Sequence, residues 1–196
     1  MTKDVGVYLS ISSPFSYLAF SQLTAIRERT GCQYNYHLVD LRQIWDLAGN
    51  PGPAQVISKF NYLGADALRW ADYYGIPLNL PETFIFDNLP SARVFQTIKG
   101  REAGKEFISR LLEVYWIHGE DFSNAEVLGK VAVNTAGLTE RAVAAALTNE
   151  ETKVSVRAEA KSAVSHGVFG VPAFVVDDIL FWGNDRLVFL ERYLLS

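Results

Sequence analysis

Cysteine is almost missing from this chain. Of 196 residues only Cys32 carries a thiol, so no internal disulfide can form. That suits a reducing compartment, and a cytosolic location is the expectation. Cys32 stands beside Tyr34 and Tyr36 and reads as a small buried apolar residue rather than a nucleophile. Long apolar runs are missing too. None approaches the ~20 residues that span a bilayer. Met1-Thr2-Lys3-Asp4 leads directly into a strand, without the apolar core of a signal peptide. The net charge is -4 and no basic run interleaves with aromatics, which argues against nucleic acid as a main partner. His37, His118 and His166 lack metal-like spacing and have no neighbouring cysteine or acid cluster, so no metal is assigned. No repeat or low-complexity tract is visible. Ser13 lies outside any Gly-x-Ser-x-Gly elbow, which weakens a Ser-His-Asp hydrolase.

What is present suits one globular unit with room for a sub-domain: 49% of residues are hydrophobic and 20% charged. Val5 to Leu9 is short, apolar and β-branched, the pattern of a buried strand. Ser12-Ser13-Pro14-Phe15-Ser16 follows, and Tyr17 to Thr30 has helical spacing, ending at Gly31. Ser13 with Pro14 just inside is the grammar of a helix N-terminus. A plain N-cap is the bland reading of Ser13. Cys32 to Asp40 alternates as a second strand, so the first forty residues predict β-α-β with a parallel pair.

Beyond Asp40 the character of the sequence changes. Asn50-Pro51-Gly52-Pro53 marks a turn, and Ala54 to Gly75 a helix. Leu78 to Pro90 reads as a loop. Helices are expected over Ser91–Lys99, Ala103–His118, Asn124–Asn134, Glu140–Leu147 and Glu150–Ser165, and no strand between Leu41 and Ser165. Ala173–Val176, a turn at Asp177-Asp178 and Ile179–Trp182 predict a hairpin, and a helix runs from Arg186 to Leu194. Residues 1–40 and 166–196 thus form one α/β layer, with the helix at about 150–165 leading back into it. Residues 41–149 are a helical insertion domain.

This order, with Val171-Pro172 entering the third strand, resembles the thioredoxin superfamily of the DsbA type. The resemblance implies a thioredoxin-like fold with a large helical insertion, and a cis bond before Pro172 facing the start of the first helix. Redox members carry Cys-x-x-Cys at that helix start. Ser13-Pro14-Phe15-Ser16 stands there instead, which excludes dithiol–disulfide exchange. Ser13 to Ala19, Gly49-Asn50, Trp70-Ala71, Tyr74 to Leu78, Val168 to Pro172 and above all Phe181 to Leu187 resemble the 2-hydroxychromene-2-carboxylate isomerase and kappa-class glutathione transferase family. These pieces span the whole chain. One departure stands out: Ser10 occupies the position where the family often has Asp.

The cofactor this resemblance implies is glutathione. Ser13, catalytic, would hold its sulfur as thiolate. Val171, just before Pro172, would pair with its cysteinyl backbone. Asn184 and Asp185 would hold the γ-glutamyl end, and Asn50 and Lys59 would reach the thiol region and the glycyl end. Taken singly, Asp185 is also a helix cap, Lys59 a solvated lysine and Asn50 a turn residue. Phe15, Tyr62 and Trp182 are more often core than pocket wall. The implied activity is the glutathione-dependent interconversion of 2-hydroxychromene-2-carboxylate and trans-o-hydroxybenzylidenepyruvate, in naphthalene-type catabolism, by a homodimer. A conjugating transferase and a glutathione-binding module with little turnover are the alternatives.

Overall fold

A computed structural model describes residues 2–98 and 100–196. Strand β1 (Asp4–Leu9), helix α1 (Pro14–Thr30) and strand β2 (Gln33–Leu38) come first. Helices α2 (Leu41–Ala48), α3 (Ile57–Tyr74), α4 (Leu89–Phe95), α5 (Arg101–Trp116), α6 (Ala125–Ala136), α7 (Glu140–Thr148) and α8 (Glu150–Ser165) follow. Strands β3 (Ala173–Val176) and β4 (Ile179–Trp182) and helix α9 (Leu187–Leu194) close the chain.

The four strands form one sheet in the order β2-β1-β3-β4. β1 and β2 are parallel, with Val7 opposite Tyr36. β3 lies antiparallel to β1, and β4 antiparallel to β3. Asp177 and Asp178 both take positive φ, 49° and 62°, as a two-residue hairpin of this hand requires. Among the described residues no strand lies between Leu41 and Ser165.

Helix α1 starts three residues earlier than its apolar spacing suggests, at Pro14, because Ser13 caps it. It stops where Gly31 adopts φ 70° and returns its N–H to the Arg27 carbonyl, with Arg27 and Arg29 against the negative end of the helix dipole. Helix α2 was not expected. It is two turns long, capped by Asp40, whose carboxylate accepts the Arg42 N–H at 3.2 Å, and it packs on α8. So short a helix rests on its cap and its tertiary contacts rather than on propensity. A separate 3-10 turn, Pro53–Gln55, precedes α3, which therefore begins at Ile57 rather than Ala54. Helix α4 begins two residues earlier than expected and ends at Phe95; Lys99, its expected end, lies outside the described residues.

One large buried cluster joins both parts of the chain. Val7, Leu9 and Phe174 of the sheet meet Phe107, Leu111 and Trp116 of α5. Side chains of this size contribute about 1.5–3 kcal/mol each when buried, so α5 is the main brace of the layer against the helical block. Trp116 also donates its indole N–H to the Ile11 carbonyl at 2.8 Å, which ties the brace to the turn after β1.

Candidate active site

The turn after β1 is held from three sides. The Ser10 N–H reaches Ser16 Oγ at 3.3 Å, and the Ser13 N–H reaches the Ser10 carbonyl at 3.1 Å. Ser10 Oγ and Ser12 Oγ lie 3.1 Å apart. Asn88, just ahead of α4, accepts the Ser12 N–H at 3.1 Å and donates to Ser12 Oγ at 2.8 Å. Ser10, Ser12, Ser13, Ser16 and Asn88 are all buried. Ser10 thus brings a neutral hydroxyl into a buried hydrogen-bond set.

Ser13 stands at the head of α1 with φ -94° and ψ 115°. Its Oγ accepts the Ser16 N–H at 3.2 Å, which leaves its own O–H free to donate. Pro14 brings no N–H and the Ser16 and Tyr17 amides turn back onto Ser13, so this end of α1 offers the Phe15 N–H and the partial positive charge of the helix dipole. The structure therefore makes Ser13 an N-cap and also puts it at the edge of a cavity.

That cavity holds about 780 Å³. Ser12, Ser13 and Phe15 form one side, Trp45 and Asn50 to Pro53 another, and the face of α3 from Ser58 to Ala65 a third. Phe84, Phe86, Gly170, Val171 and Trp182 complete it. The lining is mostly apolar, and among the described residues Lys59 is its one charged side chain. Four sequence-predicted residues meet here: Ser13, Asn50, Lys59 and Val171. Phe15, Tyr62 and Trp182, read above as more often core, line the cavity, and Tyr62 and Trp182 are exposed. Their aromatic identity said nothing of which face they would occupy.

Pro172, Asn184 and Asp185 lie outside this lining. The Val171–Pro172 bond is cis, and the Pro172 carbonyl accepts the Gly183 N–H at 2.9 Å, which fixes the Gly183 turn against it. Gly183 takes φ 104°, a conformation that disfavours any side chain. Asn184 is buried, and its Nδ2 finds no hydrogen-bond partner among the described residues. Such orphaned donors are rare in interiors. Asp185 makes no capping bond to the turn it sits in and instead pairs with Arg186 at 3.0 Å. Asn50 is already engaged at both ends of its amide. Nδ2 donates to the Phe169 carbonyl at 2.9 Å and Oδ1 accepts the Gly52 N–H at 3.0 Å, so it straps the insertion to the segment before Val171.

Sequence reasoning missed Asn88, Trp45, Phe84 and Phe86. Nothing near Asn88 in sequence signals a partner 76 positions away. Asp40 adjoins the site through α2. Burial pushes its carboxyl above the usual range, against the Gln43 and Arg42 hydrogen bonds that pull it down. Cys32 lies buried at the far end of the sheet, beside Gln33, whose partner is Asp4. His37 binds Glu159 at 2.6 Å and stacks on Tyr8 with ring centroids 4.5 Å apart. Among the described residues no helix is long and apolar enough to cross a membrane, and no group of three His, Cys, Asp or Glu side chains is placed to hold a metal ion.

The DSBA-like thioredoxin domain profile matches residues 4–195. The 2-hydroxychromene-2-carboxylate isomerase of Sphingobium xenophagum is 35% identical over 198 residues, covering 100% of each chain. Glutathione S-transferase kappa 1 of Rattus norvegicus is 25% identical over 99% of this chain and 91% of its own. A solved 2-hydroxychromene-2-carboxylate isomerase superposes with a TM-score of 0.87 at 28% identity, covering 97% of this chain and 94% of the other. The chain therefore belongs to the DSBA-like thioredoxin domain family, in the group that holds the 2-hydroxychromene-2-carboxylate isomerases and the kappa-class glutathione transferases.

Proposed function

We propose that this enzyme interconverts 2-hydroxychromene-2-carboxylate and trans-o-hydroxybenzylidenepyruvate with glutathione as cofactor. One observation carries the reading: a free serine hydroxyl and a helix N-terminus meet at the wall of an aromatic cavity whose one charged lining residue, among the described residues, is Lys59. Full-length similarity to proteins named for that isomerisation supports it. The residues offer what glutathione needs: for a tripeptide carrying two carboxylates and an ammonium, Lys59 in the lining supplies a cation, and outside the lining the orphaned Asn184 amide and the Asp185–Arg186 pair supply a donor, an acid and a second cation. Among the described residues no carboxylate pairs with Lys59.

When bound, glutathione would supply a thiolate able to add reversibly to a conjugated carbon–carbon double bond, turning it into a rotatable single bond. The chain's own part is to hold that sulfur ionised. A free thiol of pKa ~8.5 is only about 3% ionised near neutral pH. Lowering it by ~2 units, about 2.7 kcal/mol, makes the thiolate the main species. The Ser13 O–H would donate to the sulfur, and the first turn of α1 would add its dipole. The Val171 backbone would pair with the cysteinyl unit, Asn184 and Asp185 would hold the γ-glutamyl end, and Asn50 and Lys59 would reach the thiol region and glycyl end. Phe15, Trp45, Phe84 and Phe86 line the cavity beside Ser13, and such an apolar surround strengthens a charge contact made there.

In the test, the absorbance of 2-hydroxychromene-2-carboxylate is followed with enzyme, with and without glutathione, while free thiol is counted. Conversion that needs glutathione and leaves its amount unchanged is expected. Stoichiometric thiol loss would make the enzyme a transferase, a reading the rat kappa-class relative favours. No response to glutathione would end both. A cytoplasmic homodimer belongs to the same proposal. Ile57, Tyr62, Leu68 and Tyr73 of α3 are exposed hydrophobics of the kind that subunit contacts cover. Light scattering at twice 21.9 kDa is expected.

A further inference from the structure

We infer that Asn88 is a positioning residue for the catalytic turn: it sets Ser13 and the head of α1 against the opposite wall of the cavity. The inference rests on the glutathione reading for its catalytic consequence, but the geometry stands apart from it.

Asn88 precedes α4, where an asparagine ordinarily caps its own helix. Here it makes no such cap. Asp87 serves instead, accepting the Leu89 N–H at 3.2 Å. The Asn88 amide is turned inward, fully buried, and each of its polar atoms is used. Oδ1 accepts the Ser12 N–H, and Nδ2 donates to Ser12 Oγ at 2.8 Å and to the Phe86 carbonyl at 3.0 Å. Ser12 and Phe86 lie on two different walls of the cavity, one from the turn after β1 and one from the insertion. A single planar amide therefore spaces the two. It also feeds Ser12 Oγ, which continues to Ser10 Oγ, and the Ser10 N–H in turn meets Ser16 Oγ inside α1. With this chain complete, the turn has one register. Without Asn88, the buried Ser12 N–H loses its partner and Ser12 Oγ keeps only Ser10 Oγ, so the turn must shift to satisfy the N–H. A misplacement of about 1 Å between reacting groups can cost on the order of 100-fold in rate.

The test compares wild type, Asn88→Ala, the milder Ser12→Ala and a control, Asn124→Ala. Asn124 caps α6 through the Glu126 and Val127 N–H groups and is exposed, far along the insertion. Three quantities are read: amide hydrogen exchange of residues 12–16 in glutathione-free protein, the pH midpoint of bound-glutathione thiolate absorbance, and kcat and KM. Asn88→Ala should speed exchange in the turn, raise the thiolate midpoint, and lower kcat about 10- to 100-fold with KM for glutathione within a few-fold. Ser12→Ala should move each quantity the same way by less. Asn124→Ala should lose stability only. Should Asn88→Ala fail to fold, Ser12→Ala decides alone. Unchanged exchange at residues 12–16, or changes that Asn124→Ala matches, would overturn the positioning role. Faster exchange in a protein whose wild type does not bind glutathione would keep the positioning role and refute the glutathione reading.

Discussion

Ser13→Ala separates the two jobs that the head of α1 is given. As a cap, Ser13 Oγ accepts the Ser16 N–H at 3.2 Å. The same N–H also lies 3.0 Å from the Ser13 carbonyl, which alanine keeps. The amide is therefore not orphaned, and the cost to folding should fall at the low end of the cap range, about 0.5–1 kcal/mol. As a thiolate donor, Ser13 gives one hydrogen bond to an ionised partner, about 1.5–3 kcal/mol. That is roughly one to two pKa units on the glutathione thiol and a rate loss of about 10- to 150-fold. The helix dipole stays, so residual turnover should survive. The assay is thiolate absorbance in the ultraviolet against pH with glutathione bound, run beside turnover and urea unfolding. A large drop in activity with a small change in stability is expected. Equal thiol midpoints and equal turnover in both proteins would reduce Ser13 to a helix cap and remove the nucleophile-holding role.

Lys59→Gln should raise KM for anionic ligands about 3- to 10-fold, because the side chain is exposed and its charge screened, and added salt should shrink the difference between the two proteins. Gly183→Ala places a Cβ at φ 104° and against the Asp185 carboxylate; a destabilisation of more than ~1 kcal/mol and weaker glutathione binding by calorimetry are expected, and wild-type values for both would refute the claim that this turn is tuned. Burial holds the Asp40 pKa above its ordinary 3.8, so its contribution to stability is complete below that value and is lost as pH rises through the raised one. Asp40→Asn keeps a good cap and removes this loss, so the variant should gain on wild type as pH climbs from about 3.5 to 7 in urea melts, and a constant difference would refute the assignment.

Much of this protein was legible in its residues because the signals involved are local. The Ser-Pro entry to α1, the Gly31 stop and the Asp177-Asp178 hairpin each depend on a few neighbouring side chains and on backbone preferences that travel with them. The order of strands and helices followed from those signals and already pointed to the family. Helix α2 escaped, since two turns with only Leu41 and Ile44 buried form a helix through Asp40 and the packing of α8, neither of which periodicity registers. The site divides the same way. Ser13 was legible as a helix cap from its place at a strand-to-helix turn, and as a candidate site residue only through the family resemblance. That Tyr62 and Trp182 face a cavity, that Asn50 straps Phe169, and that Asn88 grips Ser12 are decisions of the tertiary structure alone. A hydrogen bond between residues 76 positions apart depends on where two chain segments cross, and that crossing is set by α5 packing on the sheet through Phe107, Leu111 and Trp116, not by any residue near either partner.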